Sequence, residues 1–211
     1  GWAALREPIM EYLDRLKPAL DEALRLSVES ESPDVFPFRF RGGEVDYFVA
    51  VNHLPRGRGR SIMDNRTRIS FPSARGALYD VIAMEQLPDA APPKSTRSTD
   101  VLFHDLGVRI YAHLPQPISS IRLSAPEKTE RGYEIPVKVS VMAGDAPVPG
   151  PVPITIELVD PSGAIRHQLN RCCTPEDFSI VLKIGSNAPP GAWKLKAREL
   201  ISGLMAETDI T

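Results

Sequence analysis

Apolar residues at the start of the chain recur every three or four positions. Leu5, Ile9, Leu13, Leu16, Leu20 and Leu24 therefore predict an amphipathic helix within residues 1–27. Pro8 suits a first turn, whereas Pro18 should kink the helix or divide it. From Ser27 the period falls to two. In FPFRFRGGEVDYFVAVN, Phe36, Phe38 and Phe40 share one side of an extended chain, and Tyr47, Val49 and Val51 do so beyond the turn. Gly42 and Gly43 between them can take positive φ, so the segment reads as a β-hairpin. TRISF, GALYDVIAM, TDVLFHDLG and VRIYAHL supply four more short strands, with a loop rich in Pro, Ser and Thr (LPDAAPPKSTRS) between the second and third.

The segment LPQPISSIRLSAPEKTERG, stiffened by Pro115, Pro117 and Pro126, reads as a junction. Beyond it the alternation is most regular. SSIRLSA, YEIPVKVSVMA, VPITIELVD, AIRHQLN, DFSIVLKI, AWKLKAREL and LMAETDIT alternate with turn-forming clusters such as PSG and SNAPPG. Val137, Val139 and Val141 form one strand face, as do Ile154, Ile156 and Leu158, then Ile180, Leu182 and Ile184. Trp193 is in phase with Leu195 and Ala197, which marks it as a packed anchor. The expected fold is mainly β: an N-terminal helix over 1–27, a first β-sandwich over 28–118, and a second β-sandwich of about seven strands over 119–211, the part that a resemblance given below marks as Ig-like.

Composition agrees with a globular chain. Of 211 residues, 42% are hydrophobic and 25% charged, which argues against wholesale disorder. The 21 prolines are about twice the usual share and favour short strands over long helices. A net charge of −2 supplies no field to recruit nucleic acid. No apolar run approaches the roughly 18 residues of a membrane helix. Cys172 and Cys173 are adjacent and cannot staple distant segments, so a buried thiol beside an exposed one is expected. The chain opens Gly-Trp-Ala without Met, which leads to the expectation of a fragment whose targeting signal lies upstream.

ITIELVDPSGAI, SIVLKI and APPGAWKLKARELISG resemble bacterial Ig-like and macroglobulin-type sandwich domains. In those families a central strand ends in Asp-Pro-x-Gly and a Pro-x-Gly-x-Trp/Tyr turn opens the next-to-last strand. Asp160-Pro161-Ser162-Gly163 and Pro190-Gly191-Ala192-Trp193 occupy those places here. The resemblance implies a fold and no ligand. YFVAVN, GALYDVIAMEQLP and VRIYAHLP resemble the C-terminal β-domain that follows the barrel in many glycoside hydrolases. That likeness implies an accessory role, with the catalytic carboxylates upstream and outside this chain.

Candidate chemistry is sparse. Arg56, Arg58 and Arg60 stand among glycines as in RNA-binding segments, but no aromatics flank them, so a solvated loop is expected. Asp64 and Asn65 offer hard-cation oxygens, yet one pair falls short of a Ca²⁺ loop and reads as a turn. His53, His104, His113 and His167 lack zinc-motif spacing, and His104 beside Asp105 would face the opposite side of a strand. No catalytic, cofactor or metal residue is assigned. The expected function is a non-catalytic accessory region of a larger bacterial secreted or surface protein, extracellular or periplasmic, docking on an upstream module of the same polypeptide and spacing it. One alternative is a carbohydrate-binding module, for which Tyr79, Tyr111 and Tyr133 would have to be exposed. The other is a hydrolase with two carboxylates in one cleft.

Overall fold

The computed structural model describes residues 28–53, 65–72, 75–89, 96–103, 107–175 and 178–211, and every regular element among them is a β-strand. The helix expected over 1–27 lies outside the described residues. No helix among the described residues is long and apolar enough to cross a membrane.

In chain order the strands begin with β1 (Glu29–Ser30), β2 (Val35–Gly42), β3 (Val45–Asn52), β4 (Asn65–Phe71), β5 (Ala77–Asp80) and β6 (Glu85–Gln86). They continue with β7 (Arg97–Phe103), β8 (Val108–Leu114), β9 (Ser120–Ser124), β10 (Glu134–Ala143) and β11 (Ala146–Pro147). The last five are β12 (Val152–Val159), β13 (Ile165–Cys173), β14 (Phe178–Lys183), β15 (Trp193–Glu199) and β16 (Met205–Ile210). Four sheets result. Their orders are β1-β4-β7, β2-β3-β8-β5-β6, β11-β10-β14 with β9 also on β10, and β13-β12-β15-β16.

Two compact units emerge from the contacts, and neither is continuous in sequence. One is drawn from Gly1–Arg39, Ala50–Ala74 and Ala90–Val108, the other from Phe40–Val49, Arg75–Asp89 and Arg109–Thr211. The segments 40–49 and 75–89, expected in the first domain by sequence order, thus cluster with 109–211.

In the first unit, β4 pairs antiparallel with β1 and β7, with Ser70 opposite Glu29 and Asn65 opposite Phe103. Ile69, Phe71, Val101 and Phe103 are buried on one side, together with Val28, Val35 and Ala50. A polar cluster holds β1 to β4. The Ser30 and Thr67 hydroxyls lie 3.1 Å apart, and Ser32 N donates to Thr67 Oγ1 at 2.9 Å.

In the second unit, alternation and burial coincide. Val137, Val139 and Val141 of β10, Ile154, Ile156 and Leu158 of β12, and Trp193, Leu195 and Ala197 of β15 all enter one core. Leu182 and Ile184 join them, while Ile180 is half-buried. Ala77, Tyr79, Ala112 and Leu114 complete the same cluster. Each fully buried Val, Ile or Leu is worth roughly 1.5–3 kcal/mol, so this shared core is the main stabilising term of the unit. The segment after β8 is packed here too, as Ile118 N donates to Tyr79 Oη at 3.0 Å.

One strand is shorter than its sequence pattern. GALYDVIAM stops being a strand at Asp80, because Asp80 Oδ1 accepts from both Ile82 N and Ala83 N at 3.0 Å and closes a turn. Met84 ends that turn with φ at 56°, the left-handed conformation.

Candidate functional site

The β2–β3 hairpin turns through Gly43 at φ 59°, as the Gly-Gly pattern requires. The burial of β2 is the departure. Val35 is buried, but Phe36 and Phe38 in the first unit are 48% and 50% exposed. In the second unit the same strand presents Phe40, also exposed. Sequence alternation placed these rings on one side of β2. What it could not show is that the side faces solvent. Leaving a Phe uncovered forgoes roughly 1.5–3 kcal/mol of burial, so exposed rings at successive strand positions call for a partner.

The surroundings of Phe36 are also defined. Its ring centroid is 6.2 Å from that of His53, with the planes tilted by 59°. The His53 backbone is fixed by its N–H donating to Asp34 O at 2.8 Å. β2 is an edge strand, and Pro37 removes one backbone donor from it. That favours contact through the Phe side over strand addition at this edge.

In the second unit a cleft of about 550 Å³ lies between Thr129–Arg131, the Ser186–Trp193 turn and the end of β16. Trp193 forms part of its wall, and its indole N–H donates to Pro189 O at 3.2 Å. Glu130 is the carboxylate side chain of this lining, and Glu157 that of a second, smaller cleft on the outer side of β12 and β15. Neither lining brings together the carboxylate pair that a glycosidase mechanism uses.

Two buried carboxylates, Asp160 and Glu199, anchor turns of the second unit. Asp160 opens the Asp-Pro-Ser-Gly turn, where Ser162 Oγ donates at 2.6 Å, Ser162 N at 2.8 Å, Ala164 N at 2.9 Å and Arg166 Nε at 2.7 Å. The Ser162 hydroxyl first, then the Ala164 N–H and Arg166, hold its carboxyl well below the usual range. Glu199 accepts from Ile201 N and Leu204 N at 2.8 Å, and from Ser202 N and Oγ. Both residues spend their oxygens on turns. The signal for Asp160 was the Asp-Pro-x-Gly motif itself. For Glu199 it was an acidic residue in phase with Trp193, Leu195 and Ala197.

The other expected residues are placed as follows. Tyr79 and Tyr111 are 2% and 1% exposed, which corrects their candidacy as sugar platforms; Tyr79 enters the core of the second unit, and Tyr111 is buried on the opposite face of the sheet, since Tyr79 pairs with Ala112 and Asp80 with Tyr111. Tyr133 is 62% exposed. His113 and His167 direct Nε2 to the carbonyls of Arg75 and Lys183, the latter at 3.0 Å. Asn65 is not in a turn. It starts β4, and its amide donates to Asn52 Oδ1 at 2.9 Å and Ser32 Oγ at 3.0 Å. Cys172 is exposed and Cys173 buried, and partial burial raises the Cys172 thiol pKa. Arg56, Arg58, Arg60, Asp64, His104 and Asp105 lie outside the described residues. Among the described residues no cluster of His, Cys, Asp and Glu could hold a metal ion.

No family model and no curated protein matches the chain. Among solved structures it is similar to the Yersinia pseudotuberculosis adhesin InvE, with 11% identity and a TM-score of 0.37 over 89% of this chain and 60% of that one. It is also similar to dimeric latent PorU from Porphyromonas gingivalis, with 12% identity and a TM-score of 0.32 over 88% of this chain and 20% of that one. The chain thus spans about 60% and 20% of those two lengths. Likenesses this loose carry no argument. Neither the Ig-like nor the glycoside-hydrolase resemblance gains support from a family match.

What the geometry offers is therefore a surface. Phe36 and Phe38 form a small exposed aromatic patch on β2, with His53 beside Phe36.

Proposed function

We propose that this chain is a non-catalytic accessory region of a larger bacterial secreted or surface protein, built from Ig-like β-sandwich domains, that docks on a neighbouring module of the same polypeptide and holds it at a distance. The observation that carries this reading is the outward aromatic row at Phe36 and Phe38. Phe has no polar handle, so its exposed ring gains by contact with an apolar protein surface. A photo-crosslinking amino acid at position 38 of the parent polypeptide tests this. Intramolecular crosslinking to the neighbouring module is the expected result. Absence of any such crosslink, with the polypeptide folded, overturns the reading.

A second reading is carbohydrate binding, with a sugar's C–H face stacked on the same rings. The regular two-residue repeat of a strand, about 6.8 Å, favours it by presenting rings in a row. Glycan-array binding that disappears in Phe36→Ala and Phe38→Ala would select this reading over docking. A blank array would remove it.

A further inference from the structure

The strand β13 is long, open and cationic. It forms one edge of the sheet β13-β12-β15-β16, pairing with β12 on one side. Among the described residues no strand pairs with its other side. It contains nine residues, IRHQLNRCC, with no proline to block donation. Seven are exposed, Leu169 is half-buried and Cys173 is buried, so side chains on both faces reach solvent. Natural edge strands are usually short, bulged or proline-blocked. Here the one irregularity lies at the Leu158/Val159 end, leaving the pairing regular from Leu158 opposite His167 to Val152 opposite Cys173.

The charge along the edge is one-sided. Arg166 and Arg171 lie on β13, which contains no acidic residue. Asp160 neutralises Arg166, with Nη2 to Oδ2 at 2.7 Å. Arg171 donates to the Asn170 carbonyl at 2.9 Å, and among the described residues no carboxylate pairs with it. A second copy of β13 would offer Arg171 no carboxylate, because the strand contains no acidic residue. An acidic strand would be complementary.

We propose that the free edge of β13 receives an extended acidic segment of a partner protein as an added strand. Backbone hydrogen bonds supply the attachment, and Arg171 selects the charge. This surface is separate from the aromatic row on β2, so either proposal can fail alone.

The probe is a capped nine-residue peptide alternating Glu and Val, compared with one alternating Lys and Val. The acidic peptide should bind saturably by calorimetry and slow amide exchange in β13. Arg171→Glu should weaken that binding roughly tenfold. Lys196→Glu, on an inner strand of the same sheet, should leave it unchanged. Equal binding of both peptides, protection elsewhere than β13, or indifference to Arg171→Glu would each overturn the proposal. So would self-association of the free chain through β13, which would make a second copy the occupant.

Discussion

At the scale of single residues, the most informative positions are acidic groups that serve turns. The Asp160 carboxyl has a depressed pKa, so the stability it contributes is present above the ordinary Asp value and lost as pH falls towards its folded pKa. The melting temperature of the wild type should therefore fall below about pH 4, and Asp160→Asn should be less stable at neutral pH with a flatter acid limb. Circular dichroism melts across that range read both effects. Parallel acid limbs in the two proteins would show that Asp160 does not govern the transition. Glu199 is a second buried carboxylate that accepts the N–H groups of a turn. Glu199→Ala leaves the N–H groups of Ile201, Ser202 and Leu204 without their acceptor, at a cost of about 3 kcal/mol. Urea titration should show the loss as a lower midpoint with an unchanged slope. The Asp-Pro-x-Gly turn was legible from its residue types. The role of Glu199 was not, because an acidic residue at an inward position looks like a break in the pattern until its turn is seen.

At the scale of elements, alternation identifies strands well and their surroundings poorly. Each of the seven strands expected after the junction is present, from β9 to β16, together with the short β11 that no apolar pattern marks. The two residues of β11 pair with Met142 and Ala143 of β10, which is a consequence of the turn between them. Trp193 and Phe38 make the contrast testable. Trp193→Ala should cost about 4 kcal/mol, because it empties a core site. Phe38→Ser should change stability by no more than about 0.5 kcal/mol, because the residue is 50% exposed. Denaturant unfolding of both variants reads the difference. A large loss at Phe38 would mean that the ring is structural, and the docking surface would have to be sought elsewhere.

At the scale of the whole molecule, the contacts regroup the chain. Residues 40–49 and 75–89 pack with 109–211, so the units interleave in sequence. The second unit holds the continuous core formed by β10, β12 and β15 with their neighbours. Amide exchange should be slowest in those three strands and fastest along β13, whose outer edge lacks a partner strand among the described residues. Mass-spectrometric exchange on the free chain would read this gradient directly. Protection of β13 equal to that of β12 would show that its edge is already occupied.

Local pattern alone set the mainly β character, the hairpin at Gly43, the order of the strands after the junction and the inward register of Val137, Ile154 and Trp193. These depend on local rules: a period of two, turn residues that permit positive φ, and prolines that forbid helix. Tertiary structure alone decided which alternating faces are covered. Phe36-Phe38-Phe40 and Val137-Val139-Val141 have the same period, yet the first row is exposed and the second is buried. Periodicity states which side chains share a face. Burial depends on whether distant segments arrive to cover that face, and the local pattern does not encode that.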